Sequence, residues 1–305
     1  MNHLTPTQIV DKNGKRTTVH KSLVPSQRPP RTVSEPRGAA AGTRQEWESY
    51  GFQEPSEARV YTDFLEQAQE RSRSEVEGLS DVQRNALSFF TSMHHKSINN
   101  ALYGTEALPA EQDVDDASQG FPTLDSVNSF ELQKASKNYS LKVHDRLFND
   151  VVTNMDSAFE YANHTPRIVY RGVDTYGEYL ADDGRTAEWV DENYALGSEV
   201  VIDGYQSASN DPGVGLKYAN KSGVLLEMKT GSGISITDVS YYKLEDEVVL
   251  PRARRWRVVG VHHDQEFTVQ MARGSKSERV TLVQMVEVDE DGDEVKGYIS
   301  PPSIT

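Results

Sequence analysis

Cysteine is absent from the 305 residues. That excludes disulfides, thiolate metal sites and a cysteine nucleophile, and it suits a reducing compartment or a protein that must unfold and refold without disulfide exchange. Long apolar runs are missing as well. None approaches the ~20 residues that a bilayer-spanning helix needs, and the N-terminus has no apolar core of a secretory signal, so no membrane partner is expected. Hydrophobic residues make up 36% and mean hydropathy is -0.64, a polar balance for a chain long enough to bury one or two cores. Basic residues are outnumbered, 32 Lys and Arg against 47 Asp and Glu. The deficit is uneven. Residues 1–44 carry +6, so the remainder carries -21 against a total of -15. An acidic body does not suit broad nucleic-acid binding, which needs a basic surface. It suits a basic partner or an arginine-bearing substrate, although acidity also serves solubility alone.

What is present divides along the chain. Residues 1–44, rich in Pro, Ser, Thr and Arg with little apolar periodicity, read as a disordered basic tail or linker, with a small hairpin possible around Asn13 and Gly14. Residues 45–305 read as one domain, helical over 45–165 and strand-rich over 166–300. Ser56 can cap a helix reaching about Glu75. Ser80 and Gln83 have the spacing of a capping box, opening a second helix with Val82, Leu87, Phe90, His94 and Ile98 on one stripe. Residues 104–122 are a polar, acidic loop. A third helix is expected over about Leu141 to Ala162, with Val143, Leu147, Val151, Met155 and Phe159 facing the core. After Pro166 come short β-branched runs at 168–170, 199–202, 223–228, 233–236, 247–250, 256–261, 266–270 and 280–288. Helices followed by many short strands predict an α+β fold with a mostly antiparallel split sheet.

Chemistry concentrates in three segments. Glu245 and Glu247 stand two apart, just before the apolar run Val248, Val249 and Leu250. In an extended segment such residues face the same side, and in a tight turn they converge on one ligand. Paired carboxylates at a strand entrance suit a reaction that builds positive charge and needs a proton removed. By itself the pair is no more than solvated turn charge in an acidic protein. Upstream, Arg171 and Gly172 end the run Ile168, Val169, Tyr170. Between these two segments, Ser207 and Ser209 share a face of a short strand that follows Gly204 and Tyr205.

An arginine after an aromatic, then aromatic-x-Ser-x-Ser, then Tyr242 ahead of Glu245-x-Glu247 resembles, in that order, the arginine-serine-glutamate class of mono-ADP-ribosyltransferases. That class includes clostridial binary-toxin enzymes, vertebrate arginine-specific transferases and phage-encoded enzymes. The resemblance spans roughly Leu79 to Val288. Ile98, Asn99 and Leu102 match its Ile-Asn-x-x-Leu helix end, and Gly223 and Gly233 open strands that match those between the serines and the glutamates. One departure is Ala208, where threonine is usual; its side chain is expected to point away from the ligand.

The resemblance implies an ADP-ribosyltransferase fold with a helical layer on the sheet, NAD+ as substrate, no metal, and transfer of ADP-ribose to arginine on a target protein. Glu247 would stabilise the oxocarbenium-like ribose, and Glu245 would take a proton from the guanidinium acceptor. Arg171 would hold an NAD phosphate, Gly172 would offer its backbone to the nicotinamide amide, and Ser207 would orient Glu247 or the ribose. Ser209 would support the strand, Tyr242 would line the acceptor side, and Tyr218 and Lys221 stand where some relatives place an aromatic and a phosphate contact. The implied setting is the cytosol of a target or host cell, reached as an effector or carried in a virion. Two alternatives stay open: the same fold acting on nucleic acid, supported by Arg252, Arg254, Arg255 and Arg257, and a non-catalytic binding or virion-associated module. Those arginines equally fit a role offsetting nearby carboxylates. The pairs His94–His95 and His262–His263 invite a metal reading, but adjacent strand histidines face opposite ways, and structural or surface histidine is the simpler assignment. Gly213, Gly215, Gly231 and Gly233 are not dinucleotide fingerprints, and the acidic run Asp289 to Glu294 lacks calcium-loop spacing and reads as a hairpin turn.

Overall fold

The computed structural model describes residues 6–10, 16–20, 55–105, 107–108, 124, 145–173, 184–219, 222–240, 242–271 and 274–295. Two strands, β1 (Pro6–Val10) and β2 (Arg16–His20), pair antiparallel within the stretch expected to be a tail. The Asn13–Gly14 turn between them, most of residues 1–44, the acidic loop after 108 and Lys221 lie outside the described residues.

Helix α1 spans Pro55–Val76. Ser56 therefore lies inside it rather than capping it. Helix α2 (Asp81–Phe89) begins as its spacing predicts: the Ser80 hydroxyl accepts from the Gln83 amide while the Gln83 side chain accepts from the Ser80 amide, a reciprocal capping box. The long helix expected beyond Ser80 is not continuous. A π-helical turn at Phe90–His94 separates α2 from α3 (His95–Leu102). Such turns insert one residue into the ladder and rotate the next face, and they are frequent at functional sites. Helix α4 (Asp145–Tyr161) buries Leu147, Val151, Met155 and Phe159 of the predicted stripe, while Leu141 and Val143, expected in its first turn, lie outside the described residues. Helix α5 (Thr186–Asn193) went unread in the sequence; Ala187, Trp189 and Val190 are too few to set a period over eight residues.

The strands are β3 (Arg167–Gly172), β4 (Glu199–Ile202), β5 (Gln206–Ser209), β6 (Val224–Thr230), β7 (Ile234–Ser235), β8 (Glu247–Leu250), β9 (Arg254–Met271) and β10 (Gly274–Val288), with helix α6 (Pro212–Ala219) between β5 and β6. The runs at 256–261 and 266–270, expected as two strands, are one. A bulge carries the chain through: His263 and Asp264 together face Thr281, and Asp264 takes a φ of 54°. The sheet order is β2-β1-β4-β9-β10-β6-β3-β5-β8-β7, antiparallel except for the β10–β6 pair. At β3–β5 the register holds a single pair, Tyr170 with Ser209. That thin joint is where the sheet splits.

Helices α2 to α4 cover one face of the split. Phe89, Phe90, Ile98, Met155 and Phe159 pack with Tyr205, Ile234, Ile236 and Val249. Truncating one of these buried side chains to alanine costs about 2–5 kcal/mol. The layer also grips β5 through a polar contact. Asn99 donates to the Tyr205 carbonyl at 2.9 Å and accepts from its amide at 3.1 Å. A Cβ on Gly204 would stand 2.7 Å from the same Asn99 oxygen, so glycine is what permits the approach. Helical layer and serine strand are thus locked in register just ahead of Ser207.

Candidate functional site

At the split, three strands deliver side chains to one cleft that opens to solvent. Strand β3 contributes Tyr170, Arg171 and Gly172. Strand β5 contributes Ser207, Ala208 and Ser209. Glu245 comes from the 3-10 turn Lys243–Glu245 and Glu247 from the first position of β8. Helix α6 closes one side with Val214, Gly215 and Tyr218, and His95 reaches the cavity from the start of α3. Arg171, Gly172, Ser207, Ser209, Tyr218, Glu245 and Glu247 are therefore gathered in one place. Tyr242 is not; it is half-buried at the start of the 3-10 turn, outside the lining.

Strand pairing explains the convergence. Strand β5 is hydrogen-bonded to β8 with Ser209 opposite Glu247 and Ser207 opposite Val249. On its other side lies β3, whose Arg171 donates from Nη1 to the Ser207 carbonyl at 2.5 Å. Arg171 is buried, so this contact aims a desolvated guanidinium along the serine strand. Gly172 follows because helix α6 leaves no room. An added Cβ would lie 2.2 Å from the Ala219 nitrogen and 2.5 Å from the Gly215 carbonyl. Asp211 caps that helix by accepting from the Gly213 amide at 2.8 Å, and burial pushes its carboxyl above the ordinary range.

Glu245 and Glu247 are 7% and 2% exposed, which rules out solvated turn charge for both. Burying a carboxylate is costly unless donors meet it. The Tyr218 hydroxyl donates to Glu245 Oε1 at 2.7 Å, and the Ser240 hydroxyl donates to Glu247 Oε2 at 2.6 Å. Ser209 supports the turn rather than the cavity alone: its hydroxyl donates to the Glu245 carbonyl at 2.6 Å and accepts from the Asp211 amide at 2.9 Å. Ala208 packs in the core with Val248 and Leu250 and also borders the cavity.

Sequence reasoning missed two residues here. Ser240 carries no signal, since a serine in a loop looks like any other until the loop folds back on β8. His95 had one, the His94–His95 pair, but the π-helical turn decides which ring faces the cavity. His94 instead stacks on Phe89 with centroids 4.5 Å apart, and burial lowers its pKa from 6.5 to about 4. Among the described residues no group of three or more His, Asp or Glu side chains could hold a metal ion, and no described helix is long and apolar enough to cross a membrane.

The four arginines past β8 are engaged elsewhere. Arg252 makes a two-pronged contact to Asp156, Arg254 stands 3.6 Å from Glu287, and Arg255 and Arg257 share Glu199. They offset carboxylates, the simpler of the two readings.

The sequence profile described as ADP-ribosyltransferase exoenzyme matches residues 65–287. No curated protein matches the chain. Solved structures similar to it include exoenzyme S from Pseudomonas aeruginosa, in complex with human 14-3-3 protein beta and bound to carba-NAD, at 19% identity over 79% of this chain and 93% of that one, TM-score 0.44. Plx2a, an ADP-ribosyltransferase toxin from Paenibacillus larvae, is 16% identical over 74% of this chain and 97% of its own, TM-score 0.45. The C3 exoenzyme of Clostridium limosum is 15% identical over 76% and 94%, TM-score 0.45.

Proposed function

Because this chain belongs to the ADP-ribosyltransferase exoenzyme family, we propose that its cavity binds NAD and transfers the ADP-ribose to arginine side chains of a target protein. The observation that carries this reading is the meeting of two buried carboxylates and a buried guanidinium in one cavity.

The reaction breaks the bond between nicotinamide and ribose C1. The electron pair leaves with nicotinamide, which departs neutral, so no acid is required at that end. Positive charge passes to the ribose. Glu247, fixed by the Ser240 hydroxyl, places a preorganised anion beside it and accepts from the ribose 2′-hydroxyl. Groups of this kind contribute about 3–4 kcal/mol each to the transition state. Arg171 holds the diphosphate, where a guanidinium fork matches phosphate oxygens, and the Gly172 backbone meets the nicotinamide amide. Ser207 borders the ribose, and Tyr218 stands at the nicotinamide.

A guanidinium nitrogen of the target then bonds to C1 and must lose a proton. Arginine stays protonated in water, so the attack needs a carboxylate at that nitrogen. Glu245 is that base. In the class the sequence resembles, glutamine at this position goes with other acceptors, and glutamate therefore favours arginine.

Radiolabelled NAD with a guanidine acceptor such as agmatine tests the proposal. Wild-type protein is expected to transfer label. Glu247→Ala lowers both transfer and NAD hydrolysis about 10²–10³-fold, whereas Glu245→Ala loses transfer and keeps slow hydrolysis. Transfer by Glu247→Ala at the wild-type rate would end the assignment, and transfer to other side chains but never to guanidines would end the arginine part alone.

A further inference from the structure

We infer that Arg71, on helix α1, is a positioning residue for the carboxylate pair and acts through Asp246. The kinetic side of this inference rests on the transferase reading above; the structural side does not.

Asp246 lies between the two cavity carboxylates in sequence and is itself 1% exposed. Its φ of 40° is left-handed, a conformation that a non-glycine residue holds at some cost and that aspartate tolerates better than most. This residue turns the chain from the 3-10 turn that ends at Glu245 into the strand that begins at Glu247. The reversal is what lets residues in two different local structures face the same cavity. The fold must therefore hold Asp246 in place, and a buried carboxylate gives it the means. Arg71 donates to Oδ2 at 2.7 Å. The Asn210 side chain donates from Nδ2 to Oδ1 at 3.1 Å, and the Thr237 hydroxyl stands 3.4 Å from the same oxygen.

Arg71 does not act alone on α1. The Ser72 hydroxyl accepts from the Asp238 amide at 2.9 Å. Glu75 accepts from the Ser235 amide at 2.7 Å and pairs with Arg167 at the start of β3. Three neighbouring helix positions thus tie residues 235, 238 and 246, which span the loop that delivers Ser240 and Glu245. The bland alternative is a surface ion pair, since the Arg71 side chain is 43% exposed, and such pairs contribute about 0–1 kcal/mol. What separates this pair from that class is its partner. Removing Arg71 leaves a buried charge short of its cation at the hinge between two functional carboxylates.

The test compares Arg71→Ala, Arg71→Lys and the double variant Arg71→Ala/Asp246→Asn with wild type. It measures kcat and KM for NAD hydrolysis and for transfer to agmatine, and hydrogen exchange of the amides over 235–247. Arg71→Ala is expected to lower kcat about ten- to a hundredfold, the usual cost of an ångström-scale misplacement, with KM for NAD within about twofold. Exchange is expected to rise over 235–247 and to stay at wild-type values elsewhere. Arg71→Lys restores part of kcat, because it keeps the charge without the planar fork. The double variant removes the tether without leaving an unmatched buried charge, so it stays folded and still shows the loosened loop. Wild-type exchange over 235–247 in Arg71→Ala, or in the double variant, would overturn the inference. An inactive wild type would end the transferase reading instead, while the exchange pattern would still decide the brace.

Discussion

Two charged stretches lie five residues apart and behave in opposite ways. Glu245, Asp246 and Glu247 are buried, and the two glutamates border a cavity. Arg252, Arg254, Arg255 and Arg257 are partly exposed on their side chains and turn toward carboxylates of neighbouring elements. Local sequence does not explain the contrast, since each is a short run of like charge at a strand end. The neighbours do. The carboxylates enter between β5 and β7, beneath α1 and α6, where hydroxyls and one guanidinium receive them. The arginines keep their own side chains partly in solvent and reach Asp156, Glu199 and the buried Glu287 from there. A charge cluster becomes a site when tertiary packing desolvates it around an opening. It becomes an ion-pair surface when packing leaves counter-charges within reach.

Substitutions can break that comparison. The largest effect is expected for Glu247→Ala, about 10²–10³ in kcat with little loss of stability, because a preorganised anion acts on the transition state and not on the fold. A kcat near wild type would place Glu247 with the ion-pair arginines.

The next concerns burial itself. His94 is buried and stacked, and its pKa is about 4 in the folded chain against 6.5. The unfolded chain takes a proton near 6.5 and the folded chain does not until about 4. The neutral ring's contribution is thus complete above pH 6.5 and lost as pH falls toward 4, a span worth roughly 3 kcal/mol. His94→Gln should shrink the difference in thermal midpoint between about pH 7.5 and about pH 5. An unchanged difference would assign the acid sensitivity to other groups.

Smaller again is Tyr218→Phe. It removes the hydroxyl on Glu245 and keeps the ring, so transfer should fall about tenfold while NAD hydrolysis stays within about twofold, in keeping with a hydrogen bond to a charged group. Equal losses in both would mean that Tyr218 acts on NAD and not on the base. The smallest effect belongs to the arginine side. Arg255→Ala leaves Glu199 paired with Arg257, and stability measured by urea denaturation should change by less than about 1 kcal/mol with activity intact. A loss of transfer there would give that surface a role in target recognition.

Much of the fold was legible along the chain. The Ser80–Gln83 box marked a helix start, the Leu147–Phe159 stripe marked a core helix, and β-branched runs marked β4 and β8 to the residue. These signals are local, set by capping and side-chain period. The π-helical turn at Phe90–His94, the single strand through Asp264 and helix α5 were not legible. Each depends on a packing partner, a bulge or a length too short to show a period. Within the site, Arg171, Ser207, Ser209, Tyr218, Glu245 and Glu247 were readable as motif positions and meet in the cavity. Tyr242 was read the same way and stands outside the cavity lining.

By itself, the order of residues determined which groups could do chemistry and in what local element each would stand, because propensity and spacing act over a few positions. The tertiary structure alone decided that β3, β5 and β8 would lie side by side, that Asp246 would be held from a helix 175 residues away, that Ser240 would reach Glu247, and that His95 would join the cavity. Those outcomes come from strand pairing and burial between distant segments, whose partners no local pattern names.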